Sequence, residues 1–522
     1  MPQITINQKI IEVPENTTIL TAAESLGFKI PTMCFLKGLK PFTSCMICLV
    51  EETKSGKLLP ACSALAMNGM VIETDTERVY EYRKEALELL LSEHLGDCEG
   101  PCQRICPANM NIPLMLRQIA RHDFAEAIKT VKKDIALPAV LGRICPAPCE
   151  NGCRRKQHDS AVSICLLKRF VADVDLAQEK PFQPECFPSS GKKVAVVGSG
   201  PAGLAAAYHL QQAGHQCFIL EKEKQPGGTL RSDVSDEELS KAVLDAEIKL
   251  IENLGVQFLF KQELGKTCSL KALLKEYDAV ALTTGKMNAE SFVFSDLEFS
   301  KTGIKIESQT FETNLDKIFA AGSAVRPLKM AVQAVDQGKN LAYAIDNFLQ
   351  KSVHSKIDFN SQLGKLQNGE VEIFLKSAKE INRLEPAGGS VEGFSESEAV
   401  QEAERCLHCD CAKPVSCKLR KYASEYGAKQ NRFKGQERKK FTQISQHTTV
   451  IYEPGKCIKC GLCVQITEKA REPLGLTFIG RGFNVQIGVP FNDSFSEALK
   501  EVAQECVSSC PTGALVFRIG KI

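Results

Sequence analysis

The chain has 522 residues, 43% of them hydrophobic, an ordinary globular composition with room for about three to five domains. Its 65 Lys and Arg against 63 Asp and Glu leave a net charge of +2, so electrostatics argue neither for nucleic acid nor for an anionic membrane surface. No run of 18 apolar residues occurs, and MPQITINQKIIEV alternates like a strand with no signal-peptide core, so a cytoplasmic chain without membrane insertion is expected. In that compartment the 23 cysteines stay reduced, and spaced clusters of them argue for metal ligation over disulfides.

Residues 1–77 read as a small β-grasp module. Two short strands, Ile4 to Ile6 and Ile10 to Val13, precede a helix from about Thr18 to Leu26, with Asn16 or Thr17 as cap and Gly27 as stop. Cys34, Cys45, Cys48 and Cys62 follow in a C-x10-C-x2-C-x13-C order. Four thiolates so arranged suit a 2Fe-2S cluster, whose two tetrahedral irons take two cysteines each; zinc could use the same four. This stretch resembles the N-terminal domain of the iron–sulfur subunit of respiratory complex I and of NAD-linked hydrogenases.

A helix from about Glu77 to Ser92 leads into residues 78–180, expected to be a helical double-cluster domain. HLGDCEGPCQRICP supplies His94, Cys98, Cys102 and Cys106; GRICPAPCENGC supplies Cys145, Cys149 and Cys153; VSICLLKRF adds Cys165. These groups resemble the N-terminal helical domain of the bacterial glutamate synthase small subunit and of dihydropyrimidine dehydrogenase. The resemblance implies two interleaved 4Fe-4S clusters, one on Cys98, Cys102 and Cys153, the other on Cys106, Cys145 and Cys149. His94 and Cys165 fall near the family's remaining ligands and would complete the eight. Read alone, His94 is a surface histidine at a helix end and Cys165 a small buried residue.

A polar linker, Ala177 to Lys193, leads to residues 190–352 and to KKVAVVGSGPAGLAAAYHLQQAGHQCFILEKEKQPGG. A buried strand runs into Gly198-Ser199-Gly200-Pro201-Ala202-Gly203, a helix follows, and a second strand delivers Glu221. Gly198 permits the tight turn, Gly200 lets a pyrophosphate approach the helix N-terminus, Gly203 lets helix and strand pack, and Glu221 is placed to accept from a ribose hydroxyl. The bland alternative is a glycine-rich turn in an empty α/β domain. From Gly198 on, through Gly228, Thr284-Gly285 and Gly322-Ser323, the chain resembles the FAD half of the glutamate synthase small subunit. Two departures stand out. Only 17 residues separate Gly285 from Gly303, where the family inserts a nicotinamide domain, and no second G-x-G-x-x-G lies there. Ser323 replaces the family's usual aspartate beside the flavin and brings no charge.

Residues 353–445 read as a connector carrying Cys406, Cys409, Cys411 and Cys417, four cysteines in twelve residues that suit a 4Fe-4S cluster, with zinc as the alternative and His408 as a neighbour. Residues 446–522 resemble a bacterial ferredoxin domain that has lost a cluster. Cys457, Cys460 and Cys463 form a trio, Thr467 stands where a fourth cysteine is usual, and Cys510 before Pro511 is the expected fourth ligand. Cys506 reads as a relic, and Cys186, Cys217 and Cys268 as structural.

The expected fold class is multidomain α/β and α+β: a β-grasp 2Fe-2S domain, a helical double-cluster domain, a Rossmann-like FAD domain without the NAD(P) insertion, and a ferredoxin-like domain. The expected cofactors are FAD, one 2Fe-2S and four 4Fe-4S clusters. No nucleophile, paired catalytic carboxylates, molybdenum or nickel site stands out, so the chain reads as an electron relay without substrate chemistry of its own. The resemblances imply an oxidoreductase complex that couples NADH to ferredoxin and a third couple, with electron bifurcation within its scope. Its other members would be a complex-I-like NADH-binding flavoprotein, a small 2Fe-2S subunit and a hydrogenase or formate dehydrogenase catalytic subunit, with ferredoxin as a further partner. The competing readings are a self-contained NAD(P)H diaphorase and a scaffold with a vestigial flavin fold.

Overall fold

The computed structural model describes all residues except 287–295, 351–357, 436 and 519–522. Part of the Gly285–Gly303 connection, the beginning of the 353–445 connector and the end of the 446–522 segment lie outside the described residues. By compactness the chain forms two units. One comprises Met1–Glu99, Lys356–Phe374 and Asp410–Ile522; the other comprises Gly100–Ser355 and Leu375–Cys409. The connector therefore contributes to both.

In the first unit a mixed five-stranded sheet runs β2-β1-β5-β3-β4, from β1 (Gln3–Ile6), β2 (Lys9–Glu12), β3 (Leu49–Glu52), β4 (Lys57–Pro60) and β5 (Val71–Glu73). β1 and β5 pair in parallel and the other neighbours antiparallel. Alternation puts Ile4 and Ile6 of β1 inside, against Ile19, Leu20, Val50 and Ile72. The helix Ile19–Ser25 is capped by Thr18, whose hydroxyl accepts from the Thr21 amide, and not by Asn16 or Thr17. Position 18 wins because its extended backbone aims the oxygen at the free amide. Helix Glu77–Ser92 follows, capped by Thr76. The C-terminal part of this unit holds two small antiparallel pairs, Val450–Tyr452 with Leu515–Phe517 and Thr477–Ile479 with Gln486–Gly488, with helices Leu462–Ala470 and Ala503–Ser509. Thr467 is not an idle substitution for cysteine: its buried hydroxyl donates to Val464 O and accepts from Leu476 N.

The second unit is built on a fully parallel sheet of order β10-β9-β6-β7-β8, from β6 (Lys193–Val197), β7 (Gln216–Glu221), β8 (Gln257–Phe260), β9 (Ala279–Leu282) and β10 (Ile318–Ala320). After β8 the chain returns to the other side of β6, so the strand order reverses beside β6. Ligands bind at such a reversal, outside the carboxyl ends of the strands. This is the one parallel sheet among the described residues. Helices Ile112–Ala120, Phe124–Lys132, Pro138–Ile144 and Ile164–Leu176 join the same continuous apolar core. Glu247 fixes the helical part to the sheet part by accepting from the Ala139 and Val140 amides, 2.8 Å each, at the start of Pro138–Ile144. Lys339 adds a second tie, donating to Ala108 O at 2.7 Å.

Candidate functional site

The loop between β6 and the helix Pro201–Gln212 is held from both sides. A Cβ on Gly203 would fall far inside contact with Gly198 O and 2.7 Å from Thr283 Oγ1, so the helix packs closely only because residue 203 is glycine. Gly200 differs. Its backbone is extended, φ −70° and ψ 179°, and a Cβ there would meet nothing within 4 Å. Neither backbone conformation nor packing asks for glycine at 200, and the open space over it, at a helix N-terminus, fits a pyrophosphate. Glu221 ends β7 buried, one carboxylate oxygen accepting from both the amide and hydroxyl of Ser199, the other from Glu223 N at 2.9 Å. It therefore braces the loop as well as standing where a ribose is expected. Gly228 approaches Gly200, its would-be Cβ lying 2.8 Å from the Gly200 Cα. Gly322 and Ser323 lie in the turn after β10, where Gly322 N donates to Gln337 Oε1 at 2.7 Å. Thr284 and Gly285 follow β9 beside Gly198.

The cysteines fall into buried sets. Cys34 pairs with Cys45 and Cys48 with Cys62: the hydrogen bond from Cys45 brings the Cys34 thiol down to about 5 against the opposing effect of burial, and that from Cys48 lowers Cys62. Two pairs of thiols match the two-plus-two demand of a 2Fe-2S centre.

In the second unit Cys106, Cys145, Cys149 and Cys165 surround Lys168. Cys145 is lowered to about 6, first by a hydrogen bond from Cys165, while Cys165 is raised by that bond and by burial. Burial works against the Lys168 ammonium, but the negative charge available on Cys165, Cys145, Cys149 and Cys106 outweighs it and raises the group. Cys165 lies beside Cys145, its thiol 3.6 Å from Cys145 O. Lys168 was not singled out from sequence, although its position three residues after Cys165 puts both on one helix face.

Cys102 is buried in the second unit. Burial raises its thiol most, and the charged neighbours that raise it further are Cys409, Cys406, Cys153 and Cys149, in that order. Residues 402–409 are held against 153–163 by buried polar ties. Arg155 donates to Arg405 O at 2.7 Å, Ser163 N to Glu402 Oε1 at 2.8 Å and Arg405 Nη2 to Ser160 O at 2.8 Å. The His408 amide donates to Cys406 Sγ at 3.5 Å.

In the first unit Cys98 is pushed up to about 12 by burial, with Arg420, Cys411 and Cys417 as its charged neighbours, and Cys417 to about 11 by burial, with Cys411 and Cys510 nearby. The run Cys406, Cys409, Cys411 and Cys417 therefore divides between the two units after Cys409. Of the expected set, His94 and Cys98 belong to the first unit and Cys102 and Cys153 to the second. His94 lines a pocket with Lys456, Cys457 and Lys459, and burial, then the Lys456 ammonium, push its imidazole down to about 3.

Cys457, Cys460, Cys463 and Cys510 line one small cavity with Tyr452 and Ile487. Cys463 is raised by burial, then by Cys460, Cys457 and Cys510. Cys506 lies beside this set with its thiol turned to Cys463 O at 3.8 Å. Cys217 is buried, Cys268 half-buried and Cys186 exposed. Among the described residues no three His, Cys, Asp or Glu side chains close around one point as a single ion demands. A cluster asks for something else, cysteines spread over several irons with amides donating to sulfur, and these sets supply it.

Family models match three stretches: a 2Fe-2S iron–sulfur cluster binding domain over residues 2–77, the dihydropyrimidine dehydrogenase domain II with its 4Fe-4S cluster over 76–180, and an NAD(P)-binding Rossmann-like domain over 196–257. The chain is 38% identical over 190 residues to the NADPH-Fe(3+) oxidoreductase subunit beta of Geobacter sulfurreducens, covering 36% of this chain and 28% of that one. It is 34% identical over 207 residues to the NADP(+)-dependent formate dehydrogenase subunit beta of Moorella thermoacetica, covering 36% and 29%. It is 37% identical over 182 residues to the glutamate synthase [NADPH] small chain of Bacillus subtilis, covering 34% and 36%. The chain thus spans about a third of the length of these relatives. It is a multidomain iron–sulfur and dinucleotide-binding protein with the domains of an oxidoreductase subunit. Among the described residues no helix is long and apolar enough to cross a membrane.

Proposed function

We propose that the chain is an electron-transfer subunit of an NAD(H)- and ferredoxin-linked oxidoreductase complex of the hydrogenase or formate dehydrogenase kind. In this reading it holds FAD, one 2Fe-2S and four 4Fe-4S clusters, with a complex-I-like flavoprotein, a small 2Fe-2S subunit and a catalytic subunit as partners. Electron bifurcation is the finer form of the same proposal. The single observation that carries it is the coexistence of five buried thiol sets with one dinucleotide cradle and no second parallel sheet among the described residues.

FAD in this cradle would supply exchange of two electrons with a hydride carrier and of one with a cluster. The chain's own residues do the rest. Gly200 and the Ala202 and Gly203 amides at the start of Pro201–Gln212 would hold the pyrophosphate, Glu221 the adenosine ribose, and the Gly322–Ser323 turn the remainder. Burial of the thiols excludes water, and amide donors to sulfur, with Lys168 and Arg420, favour added negative charge at the clusters they face.

Stopped-flow mixing under nitrogen tests the reading. Hydride transfer needs a nicotinamide held against the flavin, which positioning residues normally supply. The single chain should therefore be slow to lose its flavin absorbance with NADH or NADPH, and fast once the nucleotide-handling partner is added. Rapid bleaching of the isolated chain would return it to the diaphorases.

A further inference from the structure

Resting on the reading of the thiol sets as cluster ligands, we propose that Cys98, Cys411 and Cys417 hold an iron–sulfur cluster of their own, distinct from the one on Cys102, Cys153, Cys406 and Cys409, with the Ser361 hydroxyl as its fourth, non-cysteine ligand.

The trio is assembled by a polar lattice within the first unit. Segment 359–363 lies along 97–99: Cys98 N donates to Ser361 O at 3.1 Å, Ser361 N to Cys98 Sγ at 3.3 Å and Leu363 N to Asp97 Oδ1 at 3.2 Å. Glu99 joins Arg420 at 2.5 Å, and Arg420 Nε donates to Phe359 O at 3.0 Å, which brings the helix after Cys417 to the same place. Cys411 N reaches Cys98 O at 3.4 Å. Each of the three sulfurs accepts from one amide: Cys98 from Ser361, Cys411 from Lys413 at 3.5 Å and Cys417 from Arg420 at 3.4 Å. One N–H donor per sulfur is an environment that tunes a cluster, and it has little purpose for three separate structural thiols. Gly513 closes the site, since a Cβ on it would lie 2.5 Å from Cys411 Sγ.

Three cysteines leave one corner of a 4Fe-4S centre open. Ser361 is fully buried, its amide is already on Cys98 Sγ, and its hydroxyl has no hydrogen-bond partner among the described residues. A buried hydroxyl without a partner is costly, and a metal bond removes the cost. The hydroxyl proton leaves to solvent as the iron–oxygen bond forms.

The test uses the full chain, purified and reconstituted without oxygen, with iron counted and the reduced clusters resolved by electron paramagnetic resonance. Cys409→Ala and Cys411→Ala lie two residues apart yet should remove different signals. Cys409→Ala should match Cys102→Ala and Cys153→Ala, and Cys411→Ala should match Cys98→Ala and Cys417→Ala, each with loss of up to four irons. Where an alanine variant yields no folded protein, the serine variant of the same residue should keep the cluster with a shifted signal. Ser361→Ala should convert one centre to a three-iron form with loss of one iron, and Ser361→Cys should restore the fourth. One signal lost in common by the variants at 406, 409, 411 and 417 would overturn the separate cluster, and an unchanged signal in Ser361→Ala would overturn the fourth ligand. Wild-type protein with zinc in place of iron fails the functional reading itself, whereas iron present with a different grouping fails this inference alone.

Discussion

Gly200→Ala separates a glycine kept for a ligand from a glycine kept for the fold. At 200 the backbone is extended and the new methyl meets nothing within 4 Å, so the flavin-free chain should be unchanged in stability, or gain about 0.4–1 kcal/mol from a less flexible unfolded state. A pyrophosphate lying on that backbone is obstructed by the methyl. Losing two hydrogen bonds from loop amides to a charged group costs about 3 kcal/mol or more, a drop in FAD affinity of about 100-fold or more. Gly203→Ala is the control of opposite kind. Its methyl strikes Gly198 O and lies 2.7 Å from Thr283 Oγ1, backbone on one side and a hydrogen-bonded hydroxyl on the other. The gain of about 1 kcal/mol in helix propensity does not offset overpacking of about 1–3 kcal/mol or more against groups that cannot yield. The assay pairs thermal unfolding of the flavin-stripped chain with FAD titration by fluorescence. Unaltered unfolding with lost binding is expected for Gly200→Ala, and lowered unfolding temperature for Gly203→Ala. If Gly200→Ala binds FAD as tightly as the parent, no pyrophosphate lies over residue 200 and the cradle has been misread.

Lys168 is only 5% exposed among four thiols, so Lys168→Met should make the cluster there harder to reduce. A unit charge at about 6 Å with an effective dielectric near 20 contributes about 3 kcal/mol, or roughly 130 mV for one electron, readable by redox titration; an unmoved potential would refute it. Glu221→Ala should loosen FAD by about 1–3 kcal/mol and also slacken the Ser199 loop, seen as faster amide exchange at Ser199 and Glu223. Burial raises the Glu247 carboxyl to about 7, against the lowering effect of the Val140 and Ala139 amides. Its folded-state affinity for the proton exceeds the unfolded one, so its contribution is full below the ordinary glutamate range and is lost as pH rises through about 7. Glu247→Gln should flatten the pH dependence of unfolding in that window, and an unchanged profile would exclude the assignment. Iron and sulfide analysis should find about 18 irons per chain, the sum for one 2Fe-2S and four 4Fe-4S centres; ten or fewer would refute the count.

The parts of the site made by neighbouring residues were legible from sequence. The strand, turn and helix around Gly198, Gly200 and Gly203, the delivery of Glu221 by β7, and the trio Cys457, Cys460 and Cys463 each rest on contacts within a few residues. There backbone geometry leaves few choices, and the spacing itself carries the chemistry. Residue types and spacing were enough to expect the 2Fe-2S and 4Fe-4S domains that the family models match. Which cysteines share a cluster was not legible. Cys406 and Cys409 lie next to Cys411 and Cys417 in the chain, yet the thiol neighbours of Cys102 include Cys406, Cys409 and Cys153, while those of Cys98 are Cys411 and Cys417. A cluster requires only that four ligand atoms reach it and is indifferent to how much chain lies between them. The packing around them depends on Arg155, Arg405 and Glu402 in one unit and on Glu99, Arg420 and the 359–363 segment in the other, pairings 61 to 321 residues apart in sequence that only the packed chain brings together.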